Sequence, residues 1–213
     1  MLRFAIASLG ATLISLILNH LVFAQQLIPT PQATTPPVPS PPQTCSGQTL
    51  LQASDCSGDA LEPEEEKLYQ AINNYRAQHG LTAIPPSPSL NRVANRHVRD
   101  LADNVGRLTH AWSNCPYSAS DPTTFSCMWE APQRLNTPYP GIGYENAHFN
   151  TGAATAASAL KSWQDSSGHN AVILNQDIWK DYPWQAIGIG IYKNYAVIWF
   201  GKEADPANNP NSR

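Results

Sequence analysis

The C-terminal part of the chain carries the pattern that most constrains its fold. In residues 187–191 isoleucine alternates with glycine, and residues 196–200 form an unbroken apolar run. The short segment between them suits a tight turn, so the sequence predicts an antiparallel hairpin. The second strand is apolar on both faces, which predicts a central position in a sheet. Gly188 and Gly190 fall on one face, where we expect another element to pack close to the backbone.

Three helices are predicted before this hairpin. Pro63 and the acidic residues 64–66 suit the first turn of a helix, and Gly80 suits its end. The apolar residues that recur at helical spacing are Leu68, Ala71, Ile72 and Tyr75. The same periodicity predicts helices within residues 87–106 and 153–166. Helices packed on an antiparallel sheet make an α+β fold.

The first 24 residues are typical of an export signal. Arg3 is their only charged residue, residues 4–18 are mainly apolar, and residues 22–24 resemble a cleavage site. An uncleaved membrane anchor is the alternative, but the apolar run is short for a span of about 20 residues. The sequence therefore predicts a signal peptide over residues 1–24 and no membrane span in the mature chain.

The next segment, residues 25–60, is predicted to be a tether that includes the first pair of cysteines. Its proline, glutamine, threonine and serine residues cannot bury enough apolar surface to fold, and proline extends the chain. A Pro-rich docking motif for a partner domain is the alternative. One folded domain is expected over residues 61–203, followed by a disordered tail over residues 204–213. The domain is expected to be secreted or periplasmic, tethered near a surface.

Charge and cysteine content limit the possible partners and compartment. The formal net charge is -3, and removal of Arg3 with the signal makes it -4. This weak acidity and the absence of a basic run argue against nucleic-acid binding. Four cysteines in an exported chain favour disulfides. The local pairs Cys45–Cys56 and Cys115–Cys127 are expected. A tetrathiolate metal site is the alternative, but no C-x-x-C spacing occurs.

Polar residues that can form a metal site lie in and near residues 107–150, which are predicted to be a long irregular connection. His110, Glu145 and His169 are far apart in sequence, yet two histidines and a carboxylate can make an open divalent-metal site if they converge. The alternative is that they only hydrogen-bond across a cleft. His97 lies on the apolar stripe of the second helix and is expected to be a core histidine with satisfied hydrogen bonds.

The order of several short segments resembles the CAP superfamily, which comprises cysteine-rich secretory proteins, antigen 5 and pathogenesis-related 1 proteins. The resemblance is closest to the bacterial branch of SCP-like domains and covers roughly residues 68–201. The segments that carry it are Ile72–Arg76, Leu90-x-x-x-Ala94-x-x-His97-x-x-Asp100, Leu108-Thr109-His110, Gly143-Tyr144-Glu145-Asn146, Trp163-x-x-Ser166-x-Gly168-His169, Ile187–Gly190 and Ala196-x-x-Trp199-Phe200-Gly201.

This resemblance implies a three-layer α-β-α sandwich with a central antiparallel sheet and a large cleft. In several family members the cleft holds Zn²⁺ or another divalent cation on two histidines and two acidic residues. By position, His110, Glu145 and His169 match three of these ligands. Asp165 lies near the fourth position but is shifted by one residue. The possible accessory cleft residues are Asp165, Asn146 and Trp112.

Two functions follow from the resemblance and the candidate site. The first is a binding module for a lipid, a sterol or another small ligand. The alternative is a metal-dependent peptidase or esterase that uses His110, His169 and Glu145, but it needs a general base, and Glu145 cannot be ligand and base at once. A surface stabiliser without a ligand is a third reading. The sequence predicts no particular oligomeric state.

Overall fold

The computed structural model describes residues 43–209. The predicted signal peptide, most of the Pro-rich segment and residues 210–213 lie outside this range. Within it, seven α-helices and three strands follow one another in the order α1 (Thr49–Gln52), α2 (Pro63–Gln78), α3 (Pro88–Asp100), α4 (Ser126–Trp129), α5 (Ala131–Arg134), β1 (Tyr144–Phe149), α6 (Ala156–Asp165), α7 (Ser167–Ile173), β2 (Ala186–Tyr192) and β3 (Tyr195–Gly201).

The described strands form one antiparallel sheet in the order β1-β3-β2. Strands β2 and β3 are the predicted hairpin, and β3 is central and buried along its whole length. β1 lies in the segment that was predicted to be irregular, so that prediction is wrong for Tyr144–Phe149. Glu145 in β1 lies opposite Trp199 in β3.

Helix α3 covers one face of the sheet. A side chain at Gly188 would overlap the backbone at Leu90, and one at Gly190 would overlap the backbone at Ala94. The predicted close approach of another element to these two glycines is therefore confirmed. Helix α3 continues into a wider π-helical turn, Leu101–Val105, which ends at Gly106 in the left-handed conformation that glycine tolerates.

Helices α2, α6 and α7 cover the opposite face. Their buried apolar residues pack against those that β2 and β3 direct to this side, and Trp163 of α6 is fully buried. The three-layer α-β-α sandwich is thus confirmed. Helix α2 begins at Pro63 as predicted, whereas α6 begins at Ala156, where Thr155 caps it.

Side chains of α2 and α3 close the outer edge of β2. Asn91 Oδ1 accepts from the N–H of Ile189 at 3.0 Å. Glu65 Oε1 accepts from the N–H of Ile191 at 2.8 Å. The second Glu65 oxygen accepts from the N–H of Glu62 at 2.8 Å and from Asn95 Nδ2 at 3.3 Å. The acidic start of α2 therefore includes a residue that satisfies a sheet edge, which sequence periodicity does not reveal.

Both disulfides, Cys45–Cys56 and Cys115–Cys127, join the predicted local pairs. Between residues 43 and 209, no helix is long and apolar enough to cross a membrane.

The prediction of a tether over residues 25–60 is wrong for its last part, because residues that precede residue 61 pack into the domain. Leu50 is buried in the core. The guanidinium of Arg96 in α3 is also buried and donates to both carboxylate oxygens of Asp59, at 2.5 and 2.7 Å, and to the carbonyl of Leu50. Arg96 therefore holds the loop closed by Cys45–Cys56 on the domain through the Leu50 carbonyl, and it holds the segment just after that loop through the ion pair with Asp59.

The predicted disordered tail is wrong for residues 204–209. Asp205 is buried, and its carboxylate accepts from the hydroxyls of Ser87 and Ser89 and from the N–H of Ser89. These bonds hold the C-terminal segment against the start of α3. The rest of the predicted tail, residues 210–213, lies outside the described residues.

Candidate functional site

Glu145 lies at the centre of the polar site. It sits on β1 and its side chain, which is fully buried, points to the α3 face of the sheet. One carboxylate oxygen is 2.5 Å from His97 Nδ1, and the other is 2.6 Å from His110 Nδ1. The carboxylate thus connects β1 to α3 and to the irregular segment that follows α3.

His97 is the fully buried side of this cluster. Its Nδ1 faces Glu145, and its Nε2 lies 3.0 Å from the carbonyl oxygen of Ala111. Both partners are acceptors, and a neutral imidazole can donate only one hydrogen. A ring that donates to both partners carries a positive charge, and it is this charge that lowers the pKa of Glu145. The prediction of a core histidine with satisfied hydrogen bonds is confirmed, but its contact with Glu145 was not foreseen.

The charged groups of the cluster shift one another's pKa values. Burial favours the neutral form of Glu145, but the charges and hydrogen bonds of His97 and His110 outweigh burial and hold its pKa well below its usual range. Burial also opposes the charge on His110, yet the hydrogen bond and charge of Glu145 raise the pKa of His110. The two groups therefore stabilise each other's ionised forms.

His110 presents its other ring nitrogen away from Glu145. When His110 is neutral, its Nδ1–H donates to Glu145, so the lone pair remains on Nε2. The side chain is 26% exposed and lines a cavity of about 380 Å³. The walls of this cavity, here called the histidine cavity, are Leu108, Thr109, His110, Tyr117, Ala119, Ala147 and His169.

His169, near the start of α7, lines the same cavity. Its Nδ1 lies 2.9 Å from the hydroxyl of Ser166, and its backbone carbonyl accepts from Asn146 Nδ2 at 3.0 Å. Burial and the nearby His110 lower the pKa of His169, although Glu145 acts in the opposite direction. Asn146 and Ser166 thus position His169. The spacing of three residues between Ser166 and His169 is a sequence signal for that contact.

Two of the possible accessory residues do not line the histidine cavity. Asp165 is exposed and pairs with Lys161 one helical turn earlier, because it faces away from the buried side of α6 that carries Trp163. Trp112 is buried, stacks on His97 at 4.4 Å between ring centroids and lines a neighbouring cavity.

The open donors in the histidine cavity are imidazole nitrogens. Both oxygens of Glu145 already accept from histidine rings, so its carboxylate lies behind His110. No group of three or more His, Cys, Asp or Glu side chains within residues 43–209 is arranged to hold a metal ion. The histidine cavity thus offers two imidazoles, with Glu145 bonded to one of them, and metal binding at this site stays a prediction.

Comparison with known families decides the relationship that the motifs suggest. The model of the Cysteine-rich secretory protein family, CAP, matches residues 69–198, which is more than half of the chain. The chain belongs to the CAP family. The matched range contains His97, His110, Glu145 and His169. No functionally curated protein is significantly similar to the chain in sequence.

A solved structure of a bacterial protein with an SCP domain shares the fold, and two other bacterial structures align less well. An extracellular protein containing an SCP domain from Bacillus anthracis str. Ames aligns with a TM-score of 0.52 and 19% identity over 68% of this chain and 45% of that protein. An outer surface protein of Borrelia burgdorferi aligns with a TM-score of 0.48 and 16% identity over 68% of this chain and 96% of that one. A cysteine-rich secretory protein of Staphylococcus aureus subsp. aureus Mu50 aligns with a TM-score of 0.46 and 14% identity over 68% of this chain and 40% of that protein. This chain thus matches less than half of the Bacillus protein.

Proposed function

We propose that this CAP protein is an extracellular binding module whose histidine cavity binds a small ligand together with a divalent cation such as Zn²⁺. The two disulfides fit an oxidising compartment, and the Bacillus protein with the same fold is described as extracellular. The cavity, about 380 Å³, lies near the lower end of the size range of small-molecule sites.

The observation that carries this proposal is the arrangement of the two imidazoles. His110 and His169 come from different elements and line one cavity, and each has its Nδ1 atom engaged by a neighbouring side chain. Neither Nε2 atom has a hydrogen-bond partner within residues 43–209. For His110 the carboxylate partner favours the ring tautomer that leaves Nε2 free to bind a cation, and His169 has the same tautomer when the Ser166 hydroxyl accepts from its Nδ1.

Apolar walls complete the site. Leu108, Ala119 and Ala147 surround the polar atoms, and Leu108 is 46% exposed. The cavity can therefore contact the apolar part of a lipid, a sterol fragment or another small ligand. A bound divalent ion would supply a positive charge for an acceptor group of that ligand. His110 and His169 would hold the ion, and Glu145 would orient His110.

The arrangement favours binding over hydrolysis. A hydrolase needs a general base within reach of the attacking water. The Glu145 side chain is fully buried, and both of its oxygens already accept from imidazoles. The remaining carboxylate of the predicted set, Asp165, is exposed on another surface. Within residues 43–209 no carboxylate lines the histidine cavity.

Zinc-dependent thermal stability at two pH values tests the proposal. A ligand that binds only the folded state stabilises it by about 2.7 kcal/mol at a concentration of 100 times its Kd. We expect zinc to raise Tm at pH 7.5 and to raise it far less at pH 5. Protons compete with zinc for the imidazoles, and the ordinary pKa of histidine is about 6.5. The raised pKa of His110 means that the competition begins at a higher pH for this ring.

Variants locate the effect. His110→Ala and His169→Ala should each lose most of the zinc-induced shift. His79→Ala serves as the matched control, because His79 is an exposed histidine at the end of α2, outside the histidine cavity. An equal shift at both pH values, or a shift that survives in the double variant of His110 and His169, contradicts the proposed site.

A further inference from the structure

We propose that the histidine cavity and its neighbour form one groove for an anionic ligand, in which Arg107 binds a carboxylate or phosphate group. This inference rests on the proposed small-ligand function and names the ligand's chemical class. The neighbouring cavity, here called the Arg107 cavity, has a volume of about 500 Å³. Tyr117 belongs to the walls of both cavities. Arg107 lines one, and the next residue, Leu108, lines the other.

The charge of the walls sets this groove apart from the rest of the protein. The chain has a formal net charge of -3, yet neither cavity has an aspartate or glutamate in its walls. By contrast, Asp55 and Asp59 line the cavity beside the first disulfide, and Asp181 lines the cavity beside Trp184. The groove instead carries Arg107, His110 and His169. The unpaired charge of Arg107, in walls that contain no carboxylate, favours the binding of anions.

Arg107 is available for a ligand. It is exposed and has no hydrogen bond or ion pair within residues 43–209, whereas Arg92, Arg96 and Arg99 are all paired with carboxylates. The nearest carboxylates in sequence are engaged elsewhere. Asp100 is buried and accepts from Asn104 and Ser113, and Asp103 pairs with Lys193. Arg107 therefore keeps its five N–H donors for an external oxyanion.

A second donor lines the same cavity without a partner. Trp112 is only 3% exposed, and its indole N–H has no hydrogen-bond acceptor within the described residues. A buried donor without a partner costs about 1–3 kcal/mol. The nitrogen atom is itself buried, so an oxyanion reaches it only from the base of the Arg107 cavity, where Trp112 forms part of the wall. The apolar walls of the histidine cavity then contact the rest of the ligand.

A matched set of small probes tests the groove on the purified mature protein. The probes are 4-phenylbutyrate, the neutral 4-phenylbutan-1-ol and phenyl phosphate. Binding is measured by calorimetric titration, and the indole N–H signal of Trp112 in ¹⁵N-correlated spectra reports the location. We expect both anions to bind and to move the Trp112 signal, and the alcohol to bind more weakly. The tighter anion identifies the preferred group as carboxylate or phosphate.

Variants distinguish a specific contact of the anion with Arg107 from a general effect of the protein's charge. Arg107→Ala should weaken anion binding about tenfold, the typical size of a lost charged hydrogen bond. Arg107→Lys should restore part of it, because lysine keeps the charge but not the planar pair of donors. Lys180→Ala removes one exposed positive charge at another cavity and should leave the affinity unchanged. Higher salt should weaken binding to the parent.

The proposal is overturned if the alcohol binds as tightly as 4-phenylbutyrate, or if Arg107→Ala binds the anions like Lys180→Ala. These outcomes are distinct from failure of the proposed cation site. If zinc does not raise Tm but anions still bind in an Arg107-dependent way, only the proposed cation site is contradicted. If zinc raises Tm but the anions do not bind, only the proposed anion groove is contradicted.

Discussion

Glu65 and Glu145 are both buried glutamates, but their surroundings differ. Glu65, on α2, accepts hydrogen bonds from two backbone N–H groups and one amide, and no cation contacts it. Burial raises its pKa to about 7 despite these bonds. Glu145 is also desolvated, but its two imidazole partners hold its pKa low. Neutral donors thus fail to offset the desolvation of Glu65, whereas charged partners offset that of Glu145.

The two glutamates also differ in whether they contact the candidate site. Glu65 closes the edge of β2 and contacts only backbone and amide groups. Glu145 makes direct contact with His110, which lines the cavity, and with His97, which lies in the core. Burial and residue type alone therefore do not indicate a functional glutamate.

The largest expected effect is that of Glu145→Ala. Removal of one partner from a buried ion pair typically costs about 3–5 kcal/mol, because the other charge is left without compensation. Here the fully buried His97 would lose its counter-charge. Urea unfolding should show this loss. A loss no larger than that of Glu65→Ala would mean that the imidazoles do not distinguish the two glutamates.

A smaller loss is expected for Glu65→Ala. The substitution leaves the partly buried N–H of Ile191 without its acceptor, which costs about 1–3 kcal/mol, whereas the N–H of the exposed Glu62 can bond to water instead. Glu66→Ala is the control on the same helix, since Glu66 bonds only to Gln70 and should change stability by less than about 0.5 kcal/mol. Equal urea midpoints for the two variants would show that the edge of β2 does not need Glu65.

The two glutamates also differ in how they make the stability depend on pH. The raised pKa of Glu65 means that the folded state retains a proton that the unfolded state has lost, so this residue lowers stability as pH rises from about 4.3 to about 7. The low pKa of Glu145 acts in the opposite direction. Its contribution is present above about 4.3 and is lost as pH falls below that value.

Urea midpoints from pH 3 to pH 8 check both signs. Relative to the parent, Glu65→Gln should reduce the decline between about pH 4.3 and 7, and Glu145→Gln should reduce the loss in acid. The raised pKa of His110 adds a decline near neutral pH in parent and Glu65→Gln alike, so their difference isolates Glu65. Parallel profiles of parent and Glu65→Gln would contradict the assigned shift.

Much of the fold was predictable because its elements have regular patterns. The period of α2 and α3 and the alternation in β2 appear directly as apolar residues at helical or strand spacing. β1 was missed because its sequence, Tyr-Glu-Asn-Ala-His-Phe, places polar side chains on both faces. Glu145 and Asn146 are buried in hydrogen bonds with distant residues, which no local pattern records.

The candidate site was predictable only in part. The motifs gave His110, Glu145 and His169, and two of these line one cavity while the third contacts His110. They did not indicate that Glu145 lies behind His110, because the contact with His97 crosses 48 positions of sequence. They also suggested Asp165, although the helical turn places it next to Lys161 in solvent.

The sequence by itself determined the helices, the hairpin, the cysteine pairs and the family, because each depends on local periodicity, short loops or motif order. Only the tertiary structure decided which polar atoms remain open to a ligand. His97 and His110 differ little as residues, but packing directs both nitrogens of His97 to buried acceptors and leaves one nitrogen of His110 at the cavity. Chain folding sets hydrogen-bond partners and burial, and these fix the charge and role of each imidazole.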